Sequence, residues 1–160
     1  MNDQSDIEII RTILKAARTA TVTTRSHGDA LHSRPLGLVQ DDFTNTLWFF
    51  TQDPSPKTSD IEHHPEVNVA VSDEKGHLSL SGKASIDRDP ALIDKFWNPW
   101  AEAWFDGGRD DPTVALLRVD VDTVEIWDMD KPAIAKGFEL VKGLLTRNPP
   151  QVGDSRTVDV

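Results

Sequence analysis

Residues 19–51 contain three strand-like runs, TATVTTRS and TLWFFT rich in β-branched and aromatic residues and LHSRPLGLV between them, separated by links only a few residues long. Such links can only fold each run back beside its predecessor, because a parallel connection needs a crossover of about a dozen residues or more. His27-Gly28-Asp29 supplies the first turn, and Asp41-Asp42, Thr44 and Asn45 supply the second. The chain is therefore committed early to antiparallel β structure.

The remaining segments extend this pattern. Ser5 and Glu8 have the spacing of a capping box, and Ile7, Ile10, Leu14 and Ala17 follow on one face, which predicts a helix over about 6–18. A second helix starts at Pro56 and ends before His64-Pro65, since a residue preceding proline avoids the α region. VNVAVS, with Val67, Val69 and Val71 alternating, reads as a strand, as does HLSLSGKASID. Gly82 within the latter marks a bulge or the close approach of something flat. Pro90 opens a helix that is broken at Asn98-Pro99 and resumed as WAEAWF, and VALLRVDV and TVEIWDM complete the β content. The sum is a mainly β chain of six or seven antiparallel strands with about three helices. Hairpin-linked strands with inserted helices predict a closed or partly closed barrel, and exclude a doubly wound parallel sheet. Residues 1–140 form the domain, and 141–160, with Asn148-Pro149-Pro150, are expected to be a mobile tail.

Charge and composition exclude several function classes. The net charge of −10 repels phosphate backbones and anionic lipid, so neither nucleic acid nor a membrane is an expected partner. No apolar run approaches the roughly 20 residues that span a bilayer. The N-terminus lacks the basic and apolar regions of a secretory signal, and there is no cysteine for disulfides or thiolate metal sites. A cytoplasmic location is expected. Gly-x-Ser-x-Gly, Walker and Gly-x-Gly-x-x-Gly motifs are missing.

One short stretch points to chemistry. In LWFFTQDPSPK, Ser55 suits an N-cap and Pro56 a first helical position, yet Lys57 follows where helices favour acids. Either this is a capped helix with a solvent-facing lysine, or an anion occupies the helix N-terminus. Arg34 on the preceding strand is a second available cation, or a solvent-facing arginine. Trp97, Trp100 and Trp104 in WNPWAEAW suit core or interface packing better than ligand stacking. Adjacent His63 and His64 diverge by about 100° on a helix and suit a surface better than one metal, so no metal site is expected. DGGRDDP lacks the spaced acids of a calcium loop and reads as a turn.

Taken in order, RPL at 34, LWFFTQDPSPK at 47–57, LSLSGKA at 78–84, WNPWAEAWFDGGRDDP at 97–112, LLRV at 116 and VEIWDM at 124 resemble the pyridoxamine 5′-phosphate oxidase-like FMN-binding split barrels, within them the bacterial general stress proteins. The resemblance covers about residues 6–130. It implies FMN as cofactor, with FAD also admissible, bound at a homodimer boundary. It implies Phe50 and Thr51 beside the isoalloxazine ring, Ser55 and Lys57 at the phosphate, and Arg34 as the upstream strand arginine. His77 stands where the oxidase has a glutamine, and Trp127 matches the tryptophan of its Glu-Phe-Trp motif, a flavin neighbour across the dimer interface. The chain departs from the oxidase where Pro56 replaces an arginine, and where DMDKPAIAKG replaces the Arg-Leu-His cluster that grips the pyridoxal phosphate substrate. The resemblance thus implies a flavin-binding stress protein with or without modest redox activity. An FMN-dependent oxidoreductase of an unidentified small molecule and a flavin-free dimeric scaffold are the alternatives. No side chain is assigned a catalytic role.

Overall fold

The structure, a computed structural model of the 160-residue chain, describes residues 4–40, 42–129 and 154–160. Its strands are β1 (Thr19–Arg25), β2 (Leu31–Gly37), β3 (Thr46–Gln52), β4 (Glu66–Asp73), β5 (Gly76–Asp87), β6 (Val114–Asp128) and β7 (Asp154–Asp159). All pairings are antiparallel, in the order β2-β1-β4-β5-β6-β3, with β7 also on β6. A bridge between Leu38 and Phe49 brings the two ends of this path together, which closes the barrel. Gln40 reinforces the closure: its Oε1 accepts from the Trp48 N–H at 2.6 Å.

Strand β6 organises the barrel. Its inner half pairs with β3, Thr46 lying opposite Asp120, and its outer half pairs with β7, Thr123 lying opposite Asp159. One edge is therefore shared by two strands in succession, while β5 runs along the other edge. The sequence reading expected two strands, VALLRVDV and TVEIWDM; they are one continuous strand. The register slips between Ser81 and Gly82, which is the bulge that Gly82 led us to expect. A Cβ at Gly82 would lie 2.0 Å from the Asp120 carbonyl oxygen, so the bulge requires glycine.

Alternation along the strands separates two cores. On β3, Leu47, Phe49 and Thr51 point into the barrel with Val22, Val69, Leu80 and Val119. Trp48 and Phe50 point the other way, against α3 (Pro90–Phe96) and α4 (Pro99–Trp104), where Ile93, Ala101, Phe105 and Leu116 are buried. Trp97 packs edge-on to Phe50 at 5.4 Å. Trp100 and Trp104, four residues apart on α4, remain 81% and 69% exposed.

Two further helices lie at opposite ends of the strands. Helix α1 (Gln4–Ala16) buries Ile10 and Ile13, and Ile13 reaches Gly76 at the β4–β5 turn. It begins and ends about two residues earlier than its apolar spacing suggested, and Ser5 lies inside it and not at a cap. Helix α2 (Pro56–His63) joins the end of β3 to the start of β4. The expected tail from 141 lies outside the described residues as far as 153; its described end is β7, where the Arg156 Nε donates to Asp6 Oδ1 of α1 at 2.7 Å. Among the described residues no helix is long and apolar enough to cross a membrane.

Candidate functional site

The helix start that stood out in the sequence is built to be stable without a ligand. Ser55 is the N-cap: its Oγ accepts from the Thr58 N–H at 3.3 Å, and the Thr58 Oγ1 accepts from the Ser55 N–H at 2.9 Å. This reciprocal pair is a capping box. Pro56 occupies the first turn, where its missing N–H is no loss. Nothing in the capping therefore calls for Lys57.

Lys57 instead turns toward the end of β3, where its Nζ donates to Thr51 Oγ1 at 2.5 Å. Thr51 is 3% exposed, the last inward-facing residue of its strand. Burial, and secondly the positive charge of Arg34, push the Lys57 ammonium below its ordinary pKa of 10.5. Arg34 lies opposite Val22 in the β1–β2 register and so shares its inward side. Its Nη1 donates to Thr24 Oγ1 at 2.6 Å, and its Nη2 lies 3.9 Å from Asp60 Oδ2. Thr24 in turn donates to Asp60 Oδ2 at 3.1 Å. Two cations from β2 and α2 thus converge with one carboxylate, leaving a local positive excess in a chain of net charge −10. Among the described residues Lys57 has no ion-pair partner, so two of its three N–H donors remain for another acceptor.

Arg34, Thr51, Ser55 and Lys57 thus come together at one end of the barrel. Phe50 adjoins them along the chain, but its ring faces away, toward Trp97 and Phe105. His77 and Trp127 lie opposite each other in the β5–β6 register, near the far end of β6, whereas Thr51 pairs with Ala115 near its start. Within one chain these two residues belong to a different place from Lys57. The sequence reading missed Thr24 and Asp60. A signal was present for both: Thr24 follows Ala20 and Val22 on the inward register of β1, and Asp60 sits three residues after Lys57 on α2. Among the described residues His63 and His64 join no metal cluster; the His64 Nδ1 is 2.9 Å from Arg25 Nη2, and the His63 ring meets His27 edge-on.

Comparison with known proteins decides the family. The profile described as pyridoxamine 5′-phosphate oxidase like matches residues 5–151. The chain belongs to the pyridoxamine 5′-phosphate oxidase-like family. Among its relatives, General stress protein 26 of Bacillus subtilis is 28% identical over 133 residues, covering 80% of this chain and 92% of that protein. Protein bli-3 of Neurospora crassa is 32% identical over 122 residues, which is 70% of this chain but only 58% of bli-3. The crystal structure of the general stress FMN/FAD binding protein from Xanthomonas citri superposes with a TM-score of 0.70 at 30% identity, covering 81% of this chain and 93% of that one. The general stress members of the pyridoxamine 5′-phosphate oxidase-like family are thus its neighbours in sequence and in fold.

Proposed function

We propose that this protein binds FMN, with the 5′-phosphate held between Lys57 and Arg34 at the N-terminal end of α2. The convergence of these two cations carries the proposal: each raises the free energy of the other's charge, and a phosphate dianion reverses that. The donor set fits the group, because Lys57 offers free N–H donors, Arg34 offers a planar fork, and the helix end contributes its positive dipole. The FMN/FAD binding of the Xanthomonas citri relative supports the same reading. A bound flavin supplies the redox chemistry, and the chain's own residues hold, orient and shield it. Thr51 fixes the Lys57 ammonium, and the backbone around Phe50 borders the cradle while its ring anchors β3 on α3 and α4.

The site is completed, in this reading, by a second copy of the chain. His77 on β5 and Trp127 on β6 lie too far along this strand pair to meet Lys57 in their own chain, so a homodimer would present them to the partner's flavin. The exposed indoles of Trp100 and Trp104 favour association in the same way. We assign the protein to the flavin-binding general stress proteins, in the cytoplasm, without a committed substrate. Titration of flavin-free protein with FMN tests this: fluorescence quenching should saturate in the micromolar range. No saturable quenching would leave the flavin-free scaffold as the better reading.

A further inference from the structure

We infer that Thr24 and Asp60 are positioning residues that hold the Arg34 guanidinium beside the Lys57 ammonium, so that the anion site is assembled before a ligand arrives. The inference rests on the phosphate site proposed above. Thr24 is 1% exposed and Asp60 6% exposed, and neither belongs to the apolar core around them. A hydroxyl has one proton. The Thr24 Oγ1 gives that proton to Asp60 Oδ2 at 3.1 Å, and so can only accept from Arg34 Nη1 at 2.6 Å. The donor order therefore runs from Arg34 through Thr24 to Asp60. A second Nη1 contact, to the His32 carbonyl at 3.1 Å, limits rotation of the guanidinium further.

The three residues come from β2, β1 and α2, and the third element is the one that carries Lys57. Asp60 is three residues from Lys57, on the neighbouring position of the same helix face. A single helix thus supplies one cation directly and fixes the other through a buried carboxylate. Charge alone argues the opposite role. A carboxylate 3.9 Å from Arg34 weakens the field that attracts phosphate, and on that basis its removal should tighten FMN binding. Positioning predicts that removal loosens it. The two accounts differ in sign.

The test compares the 160-residue protein with its Asp60→Asn, Thr24→Val and Thr24→Ser variants, each titrated with FMN and with riboflavin, which has no phosphate. Thr24→Val should weaken FMN binding by about three- to tenfold, the size of one hydrogen bond, and Asp60→Asn, which keeps an acceptor for Thr24 but loses the ion pair that holds Arg34, should weaken it as well; both should leave riboflavin unchanged. Thr24→Ser, which keeps the hydroxyl, should restore FMN affinity. Tighter FMN binding by Asp60→Asn, unchanged binding by Thr24→Val, or equal losses for both flavins would overturn the inference. Should Asp60→Asn fail to fold, the Thr24→Val and Thr24→Ser pair decides alone. Absence of FMN binding by the wild type would overturn the flavin reading and this inference together, whereas normal wild-type binding with indifferent variants would overturn this inference only.

Discussion

Arg34 on β2 and Lys57 on α2 are two cations held near each other, and burial followed by the Arg34 charge keeps the Lys57 ammonium below its ordinary pKa. Proteins rarely keep such a pair without a use, because each charge makes the other less favourable. Here Thr51 holds one cation, and Thr24 with Asp60 holds the other. A ligand dianion would turn that repulsion into attraction at both.

This relationship fixes how binding should respond to pH. A depressed lysine pKa means that the unfolded chain binds the proton more tightly than the folded one. Apo stability is therefore reduced below the folded pKa, and the penalty is relieved as pH rises toward 10.5. FMN binding should run the other way, since it needs the ammonium. The charged groups beside Lys57 are Arg34 and, through Arg34, Asp60. FMN affinity should fall at a pH lower than that of an ordinary lysine, while riboflavin affinity changes little. An FMN affinity that is constant up to pH 10.5 would contradict this.

The separation of Trp127 from Lys57 along β6 leads to a prediction about assembly. Light scattering should give a dimer mass, and Trp127→Ala should weaken binding of FMN and riboflavin alike, because in the proposed dimer Trp127 would touch the flavin ring and not the phosphate. A monomer that retains flavin would count against the shared site.

Gly82 gives a prediction about the fold alone. Gly82→Ala would drive a Cβ into the Asp120 carbonyl where the β5–β6 register slips. It should destabilise the protein by about 2 kcal/mol or more, as steric changes at special backbone sites do. Urea denaturation would measure it, and a change within about 0.5 kcal/mol, the range of neutral surface substitutions, would contradict the bulge as described.

These residues also mark how far the sequence could be read. Alternation in VNVAVS and the glycine in LSLSGKA were local signals, and local geometry honoured them. The start of α2 was legible for the same reason: Ser55, Pro56 and Lys57 are consecutive, and so is their physics. The continuity of β6 was not, because Asp122, which the β5 register skips between Val121 and Thr123, is an exposed acid in the middle of the strand. Thr24 and Asp60 carried a local signal, an inward register and a shared helix face, but nothing in it names the partner that each meets on another element. The strand at Asp154–Asp159 is polar and takes its pairing from β6, with no strong pattern of its own.

The stretch after Trp127 yields a prediction about activity. DMDKPAIAKG follows where the oxidases carry the Arg-Leu-His cluster that the sequence comparison implied for substrate binding. Conversion of pyridoxamine 5′-phosphate, followed as pyridoxal phosphate formation, should be negligible beside a genuine oxidase. Turnover of comparable size would show that another part of the chain grips that substrate.

Equilibrium titration of Lys57→Ala with FMN and with riboflavin asks whether Lys57 reads the phosphate of FMN. A charge-assisted hydrogen bond contributes roughly 1.5–3 kcal/mol, so FMN affinity should fall about ten- to a hundredfold. Riboflavin affinity should stay close to that of the wild type. Equal losses for the two ligands, or no loss for FMN, would mean that Lys57 does not read the phosphate.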